Sequence, residues 1–281
     1  MRLVTLRTET GTRAARLDGE VVTELPFTDV GELLRSGDDW RVRASVSGRR
    51  HRIDEVELGA VISSAAKIIC LGLNYVSHIT EMGRELPEHP TLFAKYPSAL
   101  TGPTDPIPLP PESFAVDWEA ELAVVVGAAV RRVSPRDAGR AIAGYTIAND
   151  VSMRDWQNRT LQWLQGKTFE ASTPLGPALV TPDELPGDPA APDLEIRAEL
   201  DGMVMQLART GDLLFGPAQA IAYISTFMTL VPGDVVLTGT PAGVGAGREP
   251  PVYLQPGQVV RVHIEGIGEL VNRCEAEGGA P

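Results

Sequence analysis

The sequence predicts an α+β fold weighted towards β-structure, and three observations predict it. Many short segments alternate apolar and polar residues, few stretches carry helical periodicity, and the two kinds do not follow the regular βαβ order of a doubly wound sheet. With 281 residues, 43% of them hydrophobic, the chain is long enough for a sizeable core in one large domain, or one domain plus a small one.

The elements follow in order. In "ARLDGEVVTEL" Asp18 and Gly19 suit a two-residue hairpin, and residues 1–65 are expected to form a small β-rich N-terminal domain. A second unit, 66–281, opens with the buried-strand pattern "KIICLGLNY" from Lys67 to Tyr75. "VSHITEMGRELPEHP" reads as a short helix or loop ended by two prolines, and "TGPTDPIPLPPES" as an extended surface connection. "VDWEAELAVV" is a strand entering the core. In "SPRDAGRAIAGYTIANDVSMRDWQ" a helix starts after Ser134, a strand lies near "YTIAND", and a second helix starts near Asp150. "LEIRAELDGMVMQLA" is a hairpin with Leu194, Ile196, Ala198 and Leu200 on one face and Asp201-Gly202 at the turn. "GPAQAIAYISTFMTL" is an amphipathic helix, followed by the strand "VVLTG" and the alternating "VVRVHIEG".

Charge and cysteine usage exclude several classes. A net charge of -12 repels nucleic acid and anionic lipid. Cys70 and Cys274, far apart and without CxxC spacing, support neither a disulfide framework nor a cysteine metal site, so a reduced, cytoplasmic setting is expected. "MRLVTLRTET" lacks the apolar core of a signal peptide, and "LAVVVGAAV" is about half a membrane span. Neither a nucleic acid nor a membrane is expected as a partner.

The chemistry-bearing residues cluster in a few stretches. On a strand, Glu119 and Glu121 point the same way about 6–7 Å apart. Two like charges so placed are either solvated at a strand edge or share a proton, a cationic partner or a metal ion; Asp117 shares their face. Asp150, isolated at the end of "YTIAND", supplies a third carboxylate, and such a set with waters suits octahedral Mg²⁺ or Mn²⁺. A helix starting near Asp150 would line up Arg154 and Gln157 beside it as a cradle for an anionic substrate; otherwise Asp150 is a helix cap paired with Arg154. His78 and Glu81, three apart, form either an acid–base pair or a surface contact. Lys167 is a candidate ligand of a substrate oxygen or an ordinary surface lysine. The phosphate-loop reading of "GKT" fails because Leu161 stands where a glycine is required. The dinucleotide fingerprint fails in "TGTPAGVGAG" at Arg248, although this loop, with Thr240, can hold a substrate carboxylate.

Together "KIICLGLNYVSHITEMG", "PTLFAK", "VDWEAELAVVVG", "YTIANDVSMRDWQ", "GKTFEASTPLG" and "PGDVVLTGTPAGVG" closely resemble the fumarylacetoacetate hydrolase family from about Ala66 to the C-terminus. The resemblance implies layered and rolled sheets, a homodimer, and one Mg²⁺ or Mn²⁺ per subunit. It matches Glu119, Glu121 and Asp150 to the metal carboxylates, His78 and Glu81 to a water-activating dyad, and Lys167, Arg154, Gln157 and Thr240 to substrate-binding positions. The activity expected first is hydrolysis of a carbon–carbon bond in an acylpyruvate-type 2-oxo acid through a metal-stabilised enolate. The alternative is decarboxylation or isomerisation of an unsaturated or hydroxylated dicarboxylate or of oxaloacetate. A non-catalytic binder of 2-oxo acids ranks below both.

Overall fold

In the computed structural model the described residues are 1–81 and 85–278, excluding the side chains of His78 and Glu81. The N-terminal region contributes β1 (Arg2–Thr8), β2 (Gly11–Asp18), β3 (Val21–Glu24), α1 (Val30–Arg35), α2 (Trp40–Arg43), β4 (Arg50–Arg52) and β5 (Glu57–Leu58). The chain continues through β6 (Ile68–Gly72), α3 (Val76–Glu81), β7 (Thr91–Lys95), β8 (Leu100–Thr101), β9 (Ile107–Leu109), β10 (Val116–Asp117) and β11 (Ala120–Val126). Next come α4 (Pro135–Arg140), β12 (Ile142–Asn149), β13 (Ser152–Met153), α5 (Arg154–Gln157), α6 (Leu164–Lys167) and β14 (Thr173–Val180). The remainder holds β15 (Glu195–Leu200), β16 (Met203–Arg209), α7 (Pro217–Ser225), β17 (Val235–Leu237), β18 (Val259–Ile264) and β19 (Gly268–Ala276). Among the described residues no helix is long and apolar enough to cross a membrane.

The α+β, β-rich expectation holds. A mixed sheet runs in the order β4-β3-β2-β1-β14-β12-β11-β17-β6-β7, with β5 on β1 and β8 on β14. A second sheet runs β16-β15-β18-β19-β9, and β10 pairs with β13 alone. Strand β11 is apolar because both its faces are buried. Leu122, Val124 and Val126 enter the core shared with the second sheet's Ile196, Ala198 and Val262. Ala123 and Val125 enter the opposite core beside Leu33 and Trp40. The sheet also runs across residue 65, because Arg2 and Leu3 of β1 pair with Val180 and Leu179 of β14.

Four local expectations change. The first hairpin turns at Gly19-Glu20, since Asp18 pairs with Val21; Gly19 takes the left-handed φ of +61°. The proline-rich connection is not wholly irregular, for Ile107–Leu109 joins β19 in parallel, at a sheet edge that tolerates Pro108. "VDWEAELAVV" is broken at Trp118-Glu119 because Asp117 caps the Trp118 N–H at 2.8 Å and the Glu119 N–H donates to the Asn149 side chain at 3.0 Å, not to a ladder carbonyl. The helix expected from Asp150 begins only at Arg154, since Ser152 and Met153 pair with β10.

Asp29 ties the N-terminal helix to the chain entering β6. It caps α1, accepting from the Glu32 N–H at 2.7 Å, and its other oxygen accepts from the N–H and hydroxyl groups of Ser63 and Ser64 at 2.7 to 2.9 Å. Burial alone would raise this carboxyl, but the Ser64 hydroxyl, the Glu32 N–H and the Ser63 hydroxyl together hold it below its ordinary 3.8. A lowered native pKa stabilises the fold above the ordinary carboxylate value, and that contribution disappears as pH falls through the native one. Asp29→Asn is therefore expected to lose about 1–3 kcal/mol in urea unfolding at pH 7, with the gap from wild type closing in strongly acidic buffer.

Candidate active site

Register assembles the site. Antiparallel pairing of Ala120 with Asn149 brings the start of β11 beside the end of β12, and pairing of Ala123 with Leu237 adds the end of β17. Glu119, Glu121, Asp150 and Thr240 thus come from one end of three neighbouring strands. Glu119, Glu121 and Asp150 are buried, which removes the solvated-edge reading, and they offer oxygens all within 4.8 Å of one another.

Cations hold this cluster. Lys167 Nζ donates to Glu119 at 2.7 Å and to Asp150 at 3.0 Å, so it is a buried site residue and not a surface lysine. Lys95 Nζ donates to the second oxygen of Asp150 at 2.5 Å. Arg154 bridges Glu119 at 2.6 Å and Asp117 at 2.8 Å, and also donates to Gln157 at 3.0 Å. Asp150 therefore does not cap a helix or pair with Arg154, as the capping alternative required.

Asp117, which by spacing alone could share the role of the glutamates, is taken up structurally. Besides Arg154 it accepts from the N–H groups of Trp118, Gly245 and Ala246. Glu121 accepts from the Gly239 N–H at 2.7 Å, where a left-handed φ of +90° turns the chain. A Cβ on Gly166 would lie 2.4 Å from the Gln157 nitrogen, so the "GK" pair records close packing of α6 on α5.

The electrostatics leave one carboxylate unmatched. Burial first, then Asp150 and Glu119, push Glu121 well above the ordinary carboxylate range. Burial would also raise Asp150, but Lys167 and Lys95 hold it low; burial would lower Lys167, but Asp150 and Glu119 raise it. Among the described residues Glu121 forms no ion pair, so its ionised form is the one that lacks a cationic partner. An all-oxygen donor set with an unmatched charge fits a hard divalent cation such as Mg²⁺ or Mn²⁺.

Above the carboxylates lies a cleft of about 380 Å³, with Glu119 and Lys167 in its floor and Arg154, Gln157, Thr240 and Trp163 around it. Phe93 stacks edge-on against Trp163 with centroids 5.5 Å apart, and the Lys167 ammonium lies 5.1 Å from the Phe93 centroid. The side chains of His78 and Glu81 lie outside the described residues. The backbone carrying them is anchored: Asn74 exchanges hydrogen bonds with Phe215 at 2.9 and 3.0 Å and donates to the Thr238 carbonyl at 2.8 Å. Asp212 accepts from the Ser77 N–H at 3.1 Å.

Seven sequence-predicted residues therefore meet: Glu119, Glu121, Asp150, Arg154, Gln157, Lys167 and Thr240. Sequence reasoning missed Lys95, Asn149 and Asn74. The available signal for Lys95 was a lysine closing the strand "TLFAK", whose acidic partner is 55 residues away.

Residues 67–275 match the family model for the fumarylacetoacetate (FAA) hydrolase C-terminal domain. The mitochondrial oxaloacetate tautomerase FAHD2A of Bos taurus is 46% identical over 221 residues, covering 78% of this chain and 69% of that protein. The solved structure of a fumarylacetoacetate hydrolase from Exiguobacterium antarcticum superposes with a TM-score of 0.88 at 35% identity, covering 99% of this chain and all of that one. A 2-hydroxyhepta-2,4-diene-1,7-dioate isomerase from Mycobacterium marinum superposes with a TM-score of 0.80, also at 35% identity and with coverage of 99% and 100%. The family model spans most of the chain, and these relatives match it in sequence and fold: it belongs to the fumarylacetoacetate hydrolase family.

Proposed function

We propose that the protein is a divalent-metal-dependent tautomerase of a short 2-oxo dicarboxylic acid, with oxaloacetate the best-fitting substrate. The observation that carries this reading is the convergence of Glu119, Glu121 and Asp150 within 4.8 Å beneath a cleft flanked by Lys167 and Arg154. The substrate assignment is supported by the relative named as an oxaloacetate tautomerase.

A bound Mg²⁺ or Mn²⁺ would supply a Lewis acid that polarises the 2-oxo group and so acidifies the neighbouring C–H. The protein's own groups do the rest. Arg154 presents a buried Nη2 with no partner among the described residues, and with Thr240 it is assigned to substrate carboxylate oxygens. Lys167, fixed between Glu119 and Asp150, brings a positive charge to where the 2-oxygen becomes negative. His78 and Glu81 are assigned the proton transfer at C3. Enolisation moves one proton from C3 to the 2-oxygen and consumes no water. Phe93 and Trp163 form an apolar wall suited to keeping water from the reacting carbon.

Hydrolysis of an acylpyruvate, the first expectation from sequence, is the second reading. It uses the same residues with a water activated by His78 and Glu81, and the likeness to a fumarylacetoacetate hydrolase structure favours it. It ranks behind tautomerisation because a close sequence relative is named for tautomerisation and a structural neighbour for an isomerisation.

Metal-loaded protein is expected to accelerate the loss of enol absorbance from oxaloacetate, EDTA to abolish this, and Mg²⁺ or Mn²⁺ to restore it. No acceleration, with acetate and pyruvate released from acetylpyruvate, would replace this reading by hydrolysis; pyruvate and CO₂ from oxaloacetate would replace it by decarboxylation. Mn²⁺ at about a hundred times its dissociation constant is expected to raise Tm by on the order of 5 °C. Glu121→Gln is expected to lose both that shift and turnover, and an unchanged Mn²⁺ shift would remove Glu121 from the metal site.

A further inference from the structure

We infer that Gln206 is a positioning residue that fixes Thr240 as a hydrogen-bond donor towards the substrate. This deepens the proposed function, since it rests on Thr240 facing the bound 2-oxo acid.

Gln206 comes from the second sheet, not from the strands that carry the carboxylates. In the β15–β16 hairpin Ala198 pairs with Gln206 and Glu199 with Val204, so Met205 is the extra residue of a bulge. The bulge re-aims the strand: Met203, Val204 and Leu207 are exposed, whereas Gln206 is only 1% exposed. Its amide then reaches between the start of β11 and the loop after β17.

The orientation of that amide is fixed by its neighbours. Its oxygen accepts from the Ala120 N–H at 3.0 Å, and its nitrogen lies 2.8 Å from the Pro241 carbonyl. A backbone N–H can only donate and a carbonyl can only accept, so exchanging the amide's ends would oppose donor to donor and acceptor to acceptor. The second amide proton is therefore directed at Thr240 Oγ1, 2.8 Å away.

This sets the polarity of the hydroxyl. A threonine hydroxyl has one proton to give, and Oγ1 already accepts from Gln206. Thr240 also lines the cleft, and the Gly239 N–H beside it holds Glu121. Its own proton is left to point into the cleft, where it favours an anionic oxygen and disfavours a ligand N–H. Gln206 thus carries ligand preference without touching the ligand, and it couples that preference to the Ala120 backbone between the two metal-site glutamates.

The test is a double-mutant cycle read by the affinity of the Mg²⁺-loaded protein for oxalate, measured by calorimetry, with Tm recorded beside it. Gln206→Glu keeps an acceptor for the Ala120 N–H but takes the Thr240 proton for itself, and Gln206→Met removes the donor altogether. Thr240→Val is expected to weaken oxalate binding by about tenfold to a hundredfold, the loss of one hydrogen bond to a charged group. Gln206→Glu is expected to weaken it comparably and Gln206→Met less, and Gln206→Met, which adds no charge, is not expected to weaken it further once Val occupies position 240. Either Gln206 variant is expected to lower Tm in both backgrounds, so a purely structural role would not reproduce the affinity pattern. Loss of affinity from Gln206→Met that persists undiminished on Thr240→Val would overturn the inference. So would Thr240→Val that binds oxalate like the wild type, and in that case oxaloacetate turnover by the wild type would still uphold the tautomerase reading.

Discussion

The site depends on the buried ion-pair network around Asp150. Each oxygen of this carboxylate receives one ammonium group, Lys95 on one side and Lys167 on the other, and Lys167 and Arg154 extend the network to Glu119. Charges taken out of water are tolerated only when paired and hydrogen-bonded, and removing one partner strands the other. The network therefore constrains elements far apart in sequence: β7, the break before β11, the end of β12, α5 and α6 must all arrive at their stations together. Among the described residues, counting Asp117 and Glu121, four carboxylates face three cations, and Glu121 is the one without a cationic partner. Folding thus prepares a carboxylate cluster whose charge balance a divalent cation could complete.

Much of this was legible in the sequence because it is local. Alternation located the Leu194–Leu200 face, Ser134 marked the start of α4, and Asp201-Gly202 marked the hairpin turn whose two residues both take left-handed φ. The carboxylates could be named because Glu119 and Glu121 lie two residues apart and Asp150 stands alone after an apolar strand. What stayed hidden depends on partners distant in sequence. Lys95 carries no local sign that it pairs with Asp150, and Gln206 reads as one more polar residue of a surface hairpin until the bulge turns it inward. Asp117 shows the converse: the same-face spacing that selects Glu119 and Glu121 selects it equally, and only the distant N–H groups of Gly245 and Ala246 assign it to the scaffold.

The two sheets share the work unequally. The main sheet supplies charge through short breaks at the ends of its strands, where side chains are released from the ladder without leaving the core. The second sheet packs Ile196, Ala198 and Val262 beneath Leu122 and Val124 and reaches the cleft through one inward residue of an edge strand. Gln206 is the buried exception beside the exposed Met203, Val204 and Leu207, and because it holds the Ala120 N–H, a change there would reach the backbone between Glu119 and Glu121 as well as Thr240.

The pairing of β1 with β14 has a consequence for how the chain could be divided. Strand β14 is almost wholly buried along Thr173–Val180 and pairs with β12, with β8 at Thr173 and Pro174, and with β1 at Leu179 and Val180. A chain starting at residue 66 would keep every carboxylate and cation of the site and the pairing of β14 with β8, yet it would bare the Leu179 and Val180 end of that apolar strand as an open edge. Such an edge is a template for another strand, so the shortened chain would tend towards aggregation or strand exchange before any defect in chemistry could be seen. The first 65 residues act in this sense as a built-in guard of the sheet, and their contribution would be read in solubility and not in rate.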